Sequence, residues 1–121
     1  MPHVIIKKTF KIKTSGFQAE KNFTLHGAAV TPELVNALNQ GLGVVKCVDT
    51  ANRIQFKMSK KNLHYTAAMN HDFQKNNEED ALVALLDTME VLGWNFRFQY
   101  DSELLVGGSS KTNRELFVFS K

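Results

Sequence analysis

The chain carries few side chains whose types and spacing could perform catalysis. Cys47 is its only cysteine and lies in the apolar run Val44–Val48, where a cysteine usually behaves as a small hydrophobic residue. His64, His71 and Asp72 flank a predicted strand end, and their spacing matches no known pattern of metal ligands. An enzyme that uses these three residues in a cleft is the third of three hypotheses. We predict a non-enzymatic protein with no catalytic, metal-binding or cofactor-binding residues.

Basic side chains near one predicted turn and one predicted loop could bind an anion or a nucleic acid. The loop Gly107–Thr112 superficially resembles a phosphate-binding loop, but Ser110 stands before Lys111 where that pattern requires Gly. We expect a flexible hairpin loop whose amides and neighbouring cations could still hold an anion. The residues predicted to make these contacts are Lys57, Lys60, Lys61, Lys111 and Arg114.

Charge is distributed unevenly along the chain. Residues 1–61 contain ten Lys or Arg and three acidic residues, a formal charge of +7, whereas residues 62–121 contain five and nine, a charge of −4. The split predicts a basic face and an acidic face. A basic face could bind nucleic acid, and opposite faces could meet in an oligomer. Alternatively, the lysines protect exposed strand edges.

Length and hydropathy predict the class of protein. The chain has 121 residues, which suits one domain covering 1–121. No apolar stretch approaches the roughly 20 residues that span a bilayer, and the first residues do not follow the order of a secretory signal. We therefore expect a cytoplasmic protein that makes no membrane contact.

Alternating apolar and polar residues predict the strands. In residues 3–13 the apolar side chains share one parity, with Lys8 as the exception. A weaker strand is predicted over residues 17–26. Three short strands, joined by linkers of about four residues, predict an antiparallel meander over residues 44–69.

Two helices are predicted from capping signals and apolar periodicity. The first begins at Thr31-Pro32-Glu33 and ends at Gly41. The second is capped by Asn77 and ends at Gly93. Its apolar stripe consists of Leu82, Leu85, Leu86, Met89 and Leu92.

The last third of the chain is rich in aromatic residues. Trp94, Phe96, Phe98 and Tyr100 alternate with polar residues, which predicts that all four face the core. The final strand, 115–119, is apolar on both parities and is either a central strand or one that contacts a partner. For the second case the predicted contact residues are Phe117 and Phe119.

The predicted order of elements is ββαβββαββ. Runs of strands interrupted by two helices indicate an α+β fold. We expect a single, mainly antiparallel sheet of five to seven strands with both helices packed on one face.

Segments at the two ends of the chain carry a resemblance to a known family. They are Met1–Ile6, Leu86–Glu90, Gly93–Arg97 and Leu116–Lys121. These segments resemble the GTP cyclohydrolase I feedback regulatory protein family, whereas residues 44–70 have no counterpart in it. The resemblance implies a non-enzymatic, ring-forming regulator that docks on a metabolic enzyme, and no binding residue transfers from it.

Together these features favour a small binding or regulatory protein that acts through protein–protein contacts and self-associates. The alternative hypothesis is an RNA- or DNA-binding module that uses the basic N-terminal half. Against this alternative, the aromatic residues mostly share the parity of the core, whereas sheet-face RNA binders expose theirs.

Overall fold

The residues that the structure describes form two helices and one six-stranded antiparallel sheet. The computed structural model describes residues 2–13, 19–43, 45, 54–58, 64–69, 78–106 and 110–121. The elements are β1 (His3–Lys13), β2 (Ala19–His26), α1 (Pro32–Leu42), β3 (Lys57–Met58), β4 (Tyr65–Met69), α2 (Glu78–Val91), β5 (Asn95–Val106) and β6 (Ser110–Ser120). The α+β prediction is confirmed. The additional strand predicted at residues 44–48 lies, apart from Val45, outside the described residues.

The order of strands in the sheet is β3-β4-β2-β1-β6-β5. The long strands β1 and β6 are inside the sheet, so each has a neighbour on both sides. The two edges differ greatly in length, because β5 has twelve residues and β3 has two. The prediction of β6 as a central strand is confirmed by this order.

One face of β1 supplies apolar side chains to the core. Val4 and Ile6 are fully buried beneath the helices, as the alternation predicts. Lys8 follows on the same face, where its Nζ lies 3.7 Å from Oε2 of Glu115 on β6. An ion pair therefore accompanies the one cation that breaks the apolar alternation.

Helix α1 begins as the sequence predicts and ends later. The N–H of Leu34 donates to Oγ1 of Thr31 at 3.3 Å, and Pro32 is the first helical residue. The prediction that Gly41 ends the helix is wrong, because the helix continues to Leu42. Gly41 instead lies where α1 approaches α2, with no room for a Cβ beside Oγ1 of Thr88. The buried stripe of α1 is Leu34, Val35, Leu38 and Leu42.

Helix α2 also presents an apolar stripe to the core. Ala81, Leu85 and Met89 are fully buried, and Leu82 and Leu86 pack beside them. Leu92, predicted as part of the stripe, lies beyond the helix and is partly exposed. Gly93 has a φ of +86°, the left-handed conformation expected after a helix end. The predicted cap, Asn77, lies outside the described residues.

The prediction that four aromatic residues face the core is wrong for three of them. Trp94 is buried, but Phe96, Phe98 and Tyr100 are 52%, 56% and 57% exposed. The register of β5 against β6 shifts between Phe96 and Phe98, so the alternation changes parity at this irregularity. In addition, β5 is an edge strand, and its side chains therefore have neighbours on one side only.

The hairpin that joins β5 to β6 is longer than the sequence suggests. β5 continues through Glu103–Val106. The loop predicted over residues 107–113 is shorter in the structure, because β6 begins at Ser110. The register continues to the pair of Val106 with Ser110.

Candidate functional site

The sheet has one face that neither described helix covers, which we call the open face. Paired residues of an antiparallel ladder point to the same side of the sheet, so the register assigns each described strand residue to a face. The helix-facing side contains Val4, Ile6, Phe23, Phe117 and Phe119, all in the core. The main described side chains of the open face are Ile5, Lys7, Thr9, Asn22, Thr24, His26, Lys57, Thr66, Phe98, Tyr100, Arg114, Leu116 and Val118.

One row of paired residues crosses the open face from edge to edge. In strand order the row reads Lys57, Thr66, Thr24, Lys7, Leu116 and Tyr100. Neighbouring strands are about 4.8 Å apart, so the row is roughly 24 Å long. It carries a cation at one end, another at its centre and an exposed aromatic ring at the other end.

Among the side chains that the structure describes, the open face carries cations and no carboxylate. Lys7 lies diagonally beside Arg114, since Thr9 pairs with Arg114 and Lys7 with Leu116. Burial lowers the pKa of Lys7 below its ordinary value, and the positive charge of Arg114 lowers it further. The positive charges of Lys7 and Arg114 therefore lie close together, and no described carboxylate lies between them.

Two histidines contact each other on the same side of the sheet. The rings of His26 and His64 are 4.4 Å apart between centroids, at an angle of 55°. Burial lowers the pKa of His26, and the charges of His64 and Lys7 act in the same direction. Within the described part of the chain, Nε2 of His26 is buried and has no hydrogen-bond partner.

The helical layer has the opposite charge. α1 and α2 contain no Lys or Arg. Their acidic residues are Glu33, Glu78, Glu79, Asp80, Asp87 and Glu90. Among the side chains that the structure describes, the helices are therefore acidic and the open face is basic.

The β5 edge combines strand backbone that no described strand pairs with and exposed rings on both faces. Phe96 lies on the helix-facing side, with its ring 5.7 Å from that of Phe119, whereas Phe98 and Tyr100 lie on the open face. A pocket of about 440 Å³ opens beside the edge. Its lining residues are Leu86, Glu90, Trp94, Asn95, Phe96, Gln99, Phe117 and Phe119.

The predicted anion contacts are only partly brought together. Lys57 and Arg114 share the open face, but four strand spacings, roughly 19 Å, separate them. Lys111 belongs to β6, where its backbone pairs with Ile12 and Leu105. Lys60 and Lys61 lie outside the described residues.

The two rings predicted to contact a partner are core residues. Phe117 and Phe119 are 4% and 2% exposed and pack beneath the helices. Both rings also line the pocket beside β5, and their contact with a partner stays a prediction. Contact with the helices explains why one of the two faces of β6 is apolar.

Sequence reasoning predicts only some of the residues that dominate the open face. Lys7 lies on the polar parity of β1, which the alternation predicts, but local patterns do not show that Arg114 lies beside it. Phe98 and Tyr100 were placed in the core, and no local signal in the sequence marks the irregularity before Phe98. Their exposure removes the objection raised against nucleic-acid binding.

The proposed catalytic group cannot be assembled from the described residues. His64 contacts His26, whereas His71 and Asp72 lie outside the described part of the chain. Within that part, no group of three or more His, Cys, Asp or Glu side chains could hold a metal ion. Neither described helix is long and apolar enough to cross a bilayer.

Comparison with known proteins supports the fold alone. No family model matches the chain, and no curated protein matches it. A crystal structure of a conserved kinetoplastid-specific protein from Trypanosoma cruzi is similar, with a TM-score of 0.61 and 18% sequence identity. The match covers 97% of this chain and 94% of the other. The resemblance to the GTP cyclohydrolase I feedback regulatory protein family stays a prediction, since none of these findings bears on it.

Proposed function

We propose that the protein is a non-enzymatic binding protein that acts through protein–protein contacts, and that β5 pairs with β5 of a second copy. The observation that carries this proposal is a twelve-residue strand at the edge of the sheet with three aromatic side chains more than half exposed. Pairing would produce one continuous sheet across two copies.

The backbone of β5 supports strand pairing. Its neighbour β6 uses the hydrogen-bonding groups on one side only, so those on the other side have no strand partner among the described elements. Natural proteins commonly protect a long edge with charged residues, proline or a covering segment. Along Asn95–Asp101 the described side chains include three exposed rings and no proline, and the charged ones are a single cation, Arg97, and a single acid, Asp101.

Phe96 provides part of the apolar area that an interface needs, whereas Phe98 and Tyr100 lie on the open face. A buried aromatic side chain covers about 150–250 Å². With roughly half of its ring free, Phe96 offers about 100 Å² per copy. Stable interfaces bury about 800 Å² per partner, so backbone and polar side chains must contribute the remainder.

The unequal edges favour a second copy paired through the same strand. Pairing β5 with the two-residue β3 of another copy would leave most of β5 uncovered. Pairing two β5 strands in antiparallel fashion matches twelve residues with twelve. Such a contact is two-fold symmetric, so it closes as a dimer and does not extend into a filament.

Sedimentation velocity over a concentration series tests the proposal with two matched lysine substitutions. Phe96→Lys places a charge on the β5 edge, whereas Val91→Lys makes the same change in charge at an exposed site at the C-terminal end of α2. We expect the wild type and Val91→Lys to form dimers at concentrations where Phe96→Lys is monomeric.

A more conservative variant distinguishes loss of dimerisation from loss of folding. Gln99→Lys changes an exposed polar residue of β5 whose side chain donates to Oδ1 of Asp101 at 2.9 Å. It should weaken the dimer while its circular dichroism matches that of the wild type. A wild type that remains monomeric at the highest concentration reached, or dimers unaffected by both β5 substitutions, would contradict the proposal.

A further inference from the structure

We propose that the open face binds single-stranded nucleic acid, with phosphates held by Lys7, Arg114 and Lys57 and bases stacked on Phe98 and Tyr100. This site lies on the broad face of the sheet and is separate from the backbone edge at which β5 is proposed to pair. It would therefore function in a monomer as well as in a dimer.

The charge of the open face favours a polyanion. Lys7 and Arg114 lie diagonally adjacent, and Lys57 extends the same surface toward the β3 edge. None of the three has a carboxylate partner in the described part of the chain, in contrast to Lys8 on the other face. Phosphate groups carry negative charge, so a bound phosphate would reduce the repulsion between Lys7 and Arg114.

Hydroxyl groups lie between the cations. Thr66 and Thr24 occupy the row that joins Lys57 to Lys7, and Thr9 follows Lys7 along β1. All three threonines are half-buried, so their positions are constrained by the sheet. Threonine hydroxyls are common partners of phosphate and sugar oxygens.

The exposed rings distinguish a nucleic acid from other polyanions. Phe98 and Tyr100 share the open face and are two residues apart on one strand, a separation of about 7 Å. Sheet-face RNA binders stack two or three bases on aromatic side chains placed in this way. An acidic peptide would neutralise the cations but would leave these rings without a matching flat partner.

The flatness of the site favours a single strand over a duplex. Reading a duplex groove requires a protruding helix, ribbon or arm. The described part of the open face consists of strand residues in a pleated surface, with both helices on the opposite side. The bases of a single strand are free to stack on such a surface.

The test measures fluorescence anisotropy with a labelled oligouridylate and its oligodeoxythymidylate equivalent, across a salt series. Both probes have a phosphate backbone and a pyrimidine base and differ in the 2′-hydroxyl and the thymine methyl group, so the comparison shows whether the site prefers RNA or DNA. A duplex of equal length and poly-glutamate serve as competitors. We expect binding that weakens steeply with salt and that resists competition by poly-glutamate and by duplex.

Matched substitutions locate the site. Lys7→Gln and Arg114→Gln should each weaken binding about fivefold at low salt and reduce the salt slope by about one. Lys8→Gln removes the same charge from the next residue of β1, on the helix-facing side, and should leave the slope nearly unchanged. Thermal melting of each variant shows whether a loss of binding reflects a loss of folding.

A final variant tests stacking separately from charge. Phe98→Leu keeps an apolar side chain but removes the ring face, and it should weaken binding about tenfold with no change in salt slope. The proposal is overturned if neither probe binds at low salt, if Lys8→Gln weakens binding as much as Lys7→Gln, or if poly-glutamate competes as well as the oligonucleotides. A loss of dimerisation with nucleic-acid binding retained would reject only the β5 contact.

Discussion

Lys7 shows what the sequence predicts about a single residue and what it leaves open. Its place on the polar side of β1 follows from the alternation that buries Val4 and Ile6. The identity of its neighbours does not follow from that alternation. Lys7 pairs with Thr24 and Leu116, which lie 17 and 109 residues farther along the chain. The electrostatic character of the residue therefore depends on long-range pairing that no local pattern shows.

His26 should make folding stability depend on pH. Because its pKa is lowered in the folded state, the unfolded chain binds more protons at this residue between the folded pKa and about 6.5. The free energy of unfolding then rises with pH in that window and falls as the pH drops through it. Urea midpoints from about pH 7.5 to about pH 5.5 should decrease less in His26→Gln than in the wild type. Parallel decreases in the two proteins would contradict this prediction.

Gly27 should tolerate a side chain less well than Gly93, although both have positive φ angles, +124° and +86°. A Cβ at Gly27 would meet the carbonyl oxygen of His3, whereas one at Gly93 has as its nearest neighbour Cε of Lys121 at 3.8 Å. We expect Gly93→Ala to cost about 1 kcal/mol from backbone strain alone, and Gly27→Ala at least about 2 kcal/mol. Urea unfolding measures both, and equal losses would show that the clash is relieved.

At the scale of elements, periodicity predicts most of what the structure contains. The helix starts, the β1 alternation and the left-handed stop at Gly93 all follow from local chemistry. β5 is the exception, because a register irregularity before Phe98 reverses the parity of the residues that follow. An alternating aromatic sequence fits a core-facing strand and an exposed edge strand equally well, and only the order of strands decides between them.

The contact between α1 and α2 should depend on the absence of a side chain at Gly41. Alanine inside a helix is normally about 1 kcal/mol more favourable than glycine. At Gly41, however, a Cβ would collide with Oγ1 of Thr88, whose hydroxyl donates to the carbonyl of Ala84 at 2.8 Å. We therefore expect Gly41→Ala to destabilise the wild type.

The effect of Gly41→Ala on stability should change sign when the hydroxyl of Thr88 is removed. In a Thr88→Ala background, Gly41→Ala should stabilise the protein by about 1 kcal/mol. A double-mutant cycle by urea unfolding measures the coupling. Stabilisation by Gly41→Ala in both backgrounds would mean that the helices separate enough to admit the methyl group.

At the scale of the whole molecule, the charge split of the sequence becomes a spatial one. Acidic residues lie along the two helices, and the charged residues of the open face whose side chains are described are Lys7, Lys57 and Arg114. The sequence predicts that two such faces exist, since its halves differ in sign. It does not predict that Lys57 from the middle of the chain and Arg114 from its end share one face, which follows from the strand order.

The strand order also explains why β5 can be a contact element. The longest described strand, β5, lies at one edge, and the two-residue strand β3 lies at the other. Pairing of one β5 with another would join the open faces of two copies into one basic surface. Self-association and nucleic-acid binding would then reinforce each other through avidity, although neither requires the other.

Hydrogen–deuterium exchange along β5 at two protein concentrations tests the edge contact most directly. If β5 pairs with a second copy, the amides of residues 95–106 that face away from β6 become protected as concentration rises, and those of β3 do not. Phe96→Lys should abolish this concentration dependence. Exchange along β5 that is identical at both concentrations would contradict the account.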